Sequence, residues 1–383
     1  MDIDRLRSLL PVTRSHIYMN TGSSGPCPTP TVEAVCEMQR WLSAEGPSGP
    51  NAWARMHDAE GRARQAVADV LGCQPAEIAL THSTSEGISI VLNGLGLGPG
   101  DEVIITDIEH DSVLVPVYHL CQRVGATWRM LMLSGGIDPV AALAEVISPR
   151  VRLVAVSHVA FCNGQMLPIP EMAAVAREAG VPLLVDGAQG PGHVPVNVKE
   201  MGVAFYAAPG QKWLLGPEGT GALYVSEEWR DRVTPAWLGW ASHSGYDLLG
   251  NYSLKPDARR YEVGTRDPAA LMGLAESVAV LRSIGLESIH ARILALSDML
   301  RDRLRQMPRV NLRSPSDGPA RTGLVAFTVE GVQPPDVVRE LYSRARVVCR
   351  SIPPPFGQVV RVSVNAFQTE EELDALCECL AAL

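Results

Sequence analysis

At 383 residues the chain is too long for one small core and long enough for two compact domains. Its 46% hydrophobic and 20% charged content is that of a folded globular protein, and a net charge of −9 without any basic run argues against a surface built to neutralise nucleic-acid phosphates. The start, Met1-Asp2-Ile3-Asp4-Arg5, lacks the apolar core of a secretory signal, no apolar stretch reaches spanning length, and the eight cysteines form no Cys-x-x-Cys pair. A cytoplasmic protein that engages neither membrane nor nucleic acid is expected, without a metal site, since Cys377 and Cys379 fall on different sides of a C-terminal helix.

In chain order, the first informative segment is Ser83-Thr84-Ser85-Glu86-Gly87, which opens a helix with Ser83 and Glu86 at capping-box spacing. A helix N-terminus with free amides and hydroxyls is also a phosphate site, although a plain cap satisfies the same pattern. The glycines at 94, 96, 98 and 100 precede the strand at 101–106 rather than follow it, so they read as a turn and not as a dinucleotide loop. Buried strands are expected at 103–105, 151–156, 181–185, 204–207 and 221–225, with helices at 113–124, 139–147 and 171–179 between several of them. That alternation predicts an α/β domain with a mainly parallel sheet. Beyond about Asp267 the pattern changes to a long helix over 269–305, strands near 324–328 and 359–364, and helices near 335–346 and 369–383. The expected organisation is a large domain over 19–266 and a smaller α+β domain from 1–18 and 267–383, joined by the long helix.

Two segments carry the chemistry. The apolar run Leu183-Leu184-Val185 ends in Asp186-Gly187-Ala188-Gln189, which puts a carboxylate at the carboxyl end of a strand, where ligands gather in open α/β sheets. Further on, Gly210-Gln211-Lys212-Trp213-Leu214-Leu215-Gly216-Pro217 sets a lysine in an apolar, glycine-rich stretch. Partial burial lowers a lysine's pKa and frees its amine for Schiff-base chemistry. Alone, Lys212 reads as a surface-turn lysine; the pairing with Asp186 changes that.

Together these motifs resemble the class V aminotransferase family of fold-type I pyridoxal 5′-phosphate (PLP) enzymes. That group includes cysteine desulfurases, cysteine/cystine C–S lyases and isopenicillin N epimerase-like proteins, and the likeness runs from about Tyr18 to the last helix. The resemblance implies PLP as cofactor, with Lys212 as its covalent imine partner and as the base that moves the Cα proton. It implies that Asp186 pairs with the ring nitrogen, Gln189 contacts the phenolic oxygen, and His110 stacks on the ring as a catalytic and cofactor residue; by itself His110 reads as a structural histidine. Thr84 and Ser85 match the phosphate-binding pair, and Gln211 takes the place of the usual histidine before the lysine. Thr265, in Tyr261-Glu262-Val263-Gly264-Thr265, resembles a phosphate contact given to the partner subunit, which implies a homodimer. For an amino-acid substrate, Arg361 matches the carboxylate-gripping arginine, with Arg350 and Asn20 as further contacts; a surface ion pair and a turn are their ordinary fates.

The departures narrow the activity. Cysteine desulfurases carry a reactive cysteine between the two arginines, whereas this chain has Ser351-Ile352-Pro353-Pro354-Pro355-Phe356-Gly357-Gln358. Phe161, within Ser157-His158-Val159-Ala160-Phe161-Cys162-Asn163-Gly164-Gln165, stands where desulfurases have asparagine and is similar to the lyase and epimerase-like branch. Related members of that branch process cysteine S-conjugates in natural-product pathways, including those of lincosamide antibiotics. The expected activity is β-elimination from an S-substituted L-cysteine to thiol, pyruvate and ammonia. Decarboxylating oxidation to an aldehyde is the alternative, ahead of a desulfurase or a non-catalytic PLP-binding protein. Trp53, Trp213, Trp237, Trp240 and Tyr246 are candidate walls for the substrate's side chain, and equally candidates for core.

Overall fold

In the computed structural model, which describes residues 2–133 and 136–383, the buried runs assemble into one seven-stranded sheet. Its strands are β1 (Ile78–Thr81), β2 (Glu102–Thr106), β3 (Thr127–Leu131), β4 (Val151–Ser157), β5 (Leu183–Asp186), β6 (Phe205–Pro209) and β7 (Gly221–Val225). They lie in the order β1-β7-β6-β5-β4-β2-β3, and β7 alone pairs antiparallel to its neighbours. Helices cover both faces, which is why the central positions of most of these strands form near-continuous apolar runs instead of alternating. Val103 and Ile105 join one apolar cluster while Ile104 joins the other, as the two-residue period of a strand requires. The edge strand β3 differs: Thr127, Trp128 and Arg129 are exposed, and Arg129 pairs with Glu102 of β2.

A second, four-stranded antiparallel sheet follows, with β8 (Val310–Leu312), β9 (Leu324–Val329), β10 (Arg350–Ile352) and β11 (Val359–Ser363) in the order β8-β9-β11-β10. Leu296, Leu300, Leu341, Leu373 and Leu376 of three helices pack with Val325, Phe327, Val360 and Val362 of this sheet. The single long helix expected over 269–305 is in fact two, Pro268–Ile284 and Leu286–Arg305, bent by 75°. The break is Gly285, whose φ of 98° suits a residue without Cβ.

The N-terminal segment is held by late parts of the chain. Ile17 and Tyr18 pair in parallel with Val347 and Val348, and Arg7 bonds the Phe367 carbonyl and the Glu372 carboxylate.

Candidate active site

Parallel neighbours β6, β5, β4 and β2 end at one edge of the sheet, so the loops that follow them converge. Ser157 and Asp186 are register partners across β4 and β5, and Asp186 partners Ala207 across β5 and β6. Asp186 is 4% exposed and accepts the Ala188 N–H at 2.8 Å. Burial holds its carboxyl above the usual range, against the pull of Lys212, the Ala188 N–H and His110. Lys212 lies in the turn after β6, and burial brings its amine down to about 8. Asp186 opposes that shift while Arg361 and Arg350 add to it, so an acid, an amine and two guanidinium groups share one electrostatic neighbourhood. The turn is pressed from above by the N-terminal segment: the Gly25 N–H donates to the Gln211 carbonyl at 2.6 Å, and a Cβ on Gly25 would lie 2.1 Å from the Lys212 carbonyl oxygen.

His110 caps the helix Asp111–Val124, its Nδ1 accepting the Ser112 N–H at 3.1 Å and lying 2.6 Å from Asp111. Burial lowers its pKa more than Asp111 raises it, and Lys212, Asp186 and Arg350 all act on it. Its ring meets Phe161 edge-on at 4.7 Å, and Phe161 in turn meets Phe356 at 5.0 Å. Phe356 thus lies on this aromatic row from the proline-rich loop between the two arginines.

Gln189 is 2% exposed; its amide donates to the Gly22 carbonyl at 2.8 Å and accepts the Trp213 indole at 2.7 Å, which leaves one N–H for a ligand. Trp213 is therefore core, stacked on His193 at 3.7 Å; Trp53, Trp237, Trp240 and Tyr246 are exposed. Thr84 and Ser85 open the helix Thr84–Gly94, ahead of its first internal bonds. The capping box there is only half as expected. Ser83 Oγ accepts the Glu86 N–H, but the Glu86 carboxylate turns to the His82 N–H at 2.6 Å. Thr265 is exposed on its own chain, beside a buried Arg64–Glu262–Arg266 ion cluster.

Arg361 is 1% exposed, donates to the Phe161 carbonyl and to Ser23 Oγ, both at 3.0 Å, and has no acidic partner among the described residues. Arg350, its register partner across β10 and β11, reaches the same Ser23 hydroxyl at 3.4 Å. Ser23 donates to Asn20 Oδ1 at 2.8 Å. Two residues escaped the sequence reading. Ser23 carries no local signal, because its arginine partners lie more than 300 positions away. Glu109 is fully buried between the hydroxyls of Thr106 and Ser157, and burial raises its carboxyl to about 7; the glutamate beside His110 was in plain view, but nothing local marked it as buried.

A family model described as Aminotransferase class-V matches residues 17–376. The chain belongs to this family. It is 30% identical to a probable cysteine desulfurase of Methanothermobacter thermautotrophicus, covering 99% of this chain and 98% of that one. It is 29% identical to isopenicillin N epimerase of Streptomyces clavuligerus, covering 100% and 98%. Among solved structures, a C-DES mutant with glycine covalently linked to its PLP cofactor superposes with a TM-score of 0.92 at 30% identity, covering 98% of both chains. The cystine C–S lyase C-DES in complex with cysteine persulfide, its reaction product, gives the same score and identity, covering 97% and 99%.

The residues of this class V member fit PLP. A buried acid, an amine near neutrality, a helix N-terminus with two hydroxyls, and the buried Gln211 Oε1 and Arg361 Nε, which lack partners among the described residues, are of the chemistry that its ring nitrogen, aldehyde, phosphate and substrate would need.

Proposed function

We propose that the protein is a PLP-dependent carbon–sulfur lyase that performs β-elimination on an S-substituted L-cysteine. The observation that carries this reading is the convergence of Lys212 and Asp186 with two arginines that have no acidic partner among the described residues. The likeness to a cystine C–S lyase supports it. The residues between the arginines argue against a protein-bound persulfide: that loop has no cysteine, and Cys349 is buried, its thiol pushed up to about 12 by burial.

When bound, PLP supplies a conjugated ring that accepts the electron pair left at the substrate's Cα. Asp186 would hold a proton at the ring nitrogen, and His110 would lie against the ring. Thr84, Ser85 and the helix amides bind the phosphate, with Thr265 of a second copy in a homodimer adding a contact. Gln189 and Gln211 supply polar contacts at the ring's edge. Arg361, assisted by Arg350 and Asn20, grips the α-carboxylate through a planar fork that matches two oxygens. Lys212 Nζ, near neutrality because it is buried, takes the Cα proton. The Cβ–S bond then breaks, the sulfur leaves as a thiol, and the three-carbon fragment hydrolyses to pyruvate and ammonia.

Incubating the PLP-loaded protein with a panel of S-substituted L-cysteines is expected to release thiol, pyruvate and ammonia in equal amounts. Carbon dioxide with an S-substituted aldehyde would sink the elimination and leave decarboxylating oxidation in its place.

A further inference from the structure

Arg350 and Arg361 stand opposite one another across β10 and β11, and both donate to one oxygen, Ser23 Oγ. That oxygen's proton is directed to Asn20 Oδ1, so only its lone pairs face the two guanidinium groups. Arg361 is buried, its remaining contact is a backbone carbonyl, and its Nε has no partner among the described residues. Two like charges converging on a neutral hydroxyl repel each other. Burial, followed by Arg350, brings Arg361 down to about 9. An arriving carboxylate relieves that repulsion and can accept the free Nε–H, provided both forks are already aimed.

We propose that Ser23 is the positioning residue of the carboxylate pocket, holding the Arg350 and Arg361 forks converged so that the site selects amino acids over the corresponding amines. The proposal rests on the lyase reading for its substrate class, but it concerns recognition and needs no turnover. Ser23 belongs to the N-terminal segment, Phe161 to the loop after β4, and the arginines to the second sheet, so the Arg361 guanidinium, bonded to Ser23 and to the Phe161 carbonyl, ties together three parts of the chain that meet only in the folded molecule.

The test is a binding titration of the PLP-loaded protein followed by the cofactor's visible absorbance. L-serine is the amino-acid probe and ethanolamine its counterpart without the carboxylate. Ser23→Ala is expected to weaken L-serine by roughly 10- to 100-fold, the usual effect of losing a hydrogen bond to a charged group, and to change ethanolamine by less than about 2-fold. Ser23→Thr, which keeps the hydroxyl, is expected to restore most of the affinity. Equal weakening of both probes would mean that Ser23 only supports the fold, and unchanged L-serine affinity would mean that the arginines aim themselves; either overturns the proposal. Release of pyruvate from S-substituted cysteines by the unaltered protein tests the lyase reading separately.

Discussion

A lysine amine near neutrality behaves differently from one on the surface, and at Lys212 the difference is measurable. Only the uncharged amine can attack an aldehyde, and burial places this group's pKa near 8. Between pH 6.5 and 8.5 the uncharged fraction of such a group rises about 25-fold, so capture of PLP by the cofactor-free protein is expected to speed up by about that factor. Stopped-flow absorbance over this range checks it; a rate that is flat with pH would show that another group is attacked. Lys212 and Asp186 were legible in the sequence because a strand end and a glycine-rich turn are local features. Arg361 was legible only through the family motif, and Ser23 not at all, since a serine in a glycine-rich turn looks the same whether or not two arginines lie above it.

Among the elements, most strands buried on both faces were readable: β2, β4, β5, β6 and β7 form close to where their apolar runs fall, whereas the four-residue β1, buried throughout, was not expected. The edge strand β3 was missed because Thr-Trp-Arg-Met-Leu is neither an apolar run nor a clean alternation. The helix over 269–305 was misread at one residue. Apolar periodicity continues through Gly285, while the backbone there takes φ of 98° and turns the axis by 75°. A Cβ at Gly285 would meet nothing closer than Ser288 Oγ at 3.6 Å, so Gly285→Ala tests backbone strain alone. The variant is expected to lose about 1–2 kcal/mol of stability, read as a lower melting temperature, with the PLP absorbance of the loaded protein unchanged. An unchanged melting temperature would mean that the bend is set by packing and not by the glycine.

Across the whole molecule, acid stability follows from two buried histidines. His193 donates from Nδ1 to the Gln189 carbonyl, accepts the Gly323 N–H at Nε2 and stacks on Trp213; burial lowers its pKa to about 3. His158 pairs with the Tyr206 hydroxyl, and burial lowers it to about 4. Both are neutral when folded, and the unfolded chain takes up their protons first as pH falls below about 6.5. Their contribution is therefore complete above that pH and is lost as pH falls toward the folded values. Glu109, raised to about 7, works in the opposite direction, favouring the fold as pH falls below 7. Urea unfolding of the cofactor-free protein is expected to show stability lower at pH 4.5 than at pH 6.5 by on the order of 2 kcal/mol; a midpoint that does not move would contradict the neutral state of these histidines. The way the N-terminal segment is held has a bearing on synthesis. Ile17 and Met19 donate to the carbonyls of Arg346 and Val348, Ser363 donates to the carbonyl of Met19, and Arg350 and Arg361 reach Ser23. On the ribosome, the segment around Ser23 waits for partners made more than 300 positions later. The contact forms only once Arg350 and Arg361 have emerged, so a chain that stops short of Arg350 leaves the ribosome without the two guanidinium groups proposed to hold the substrate carboxylate.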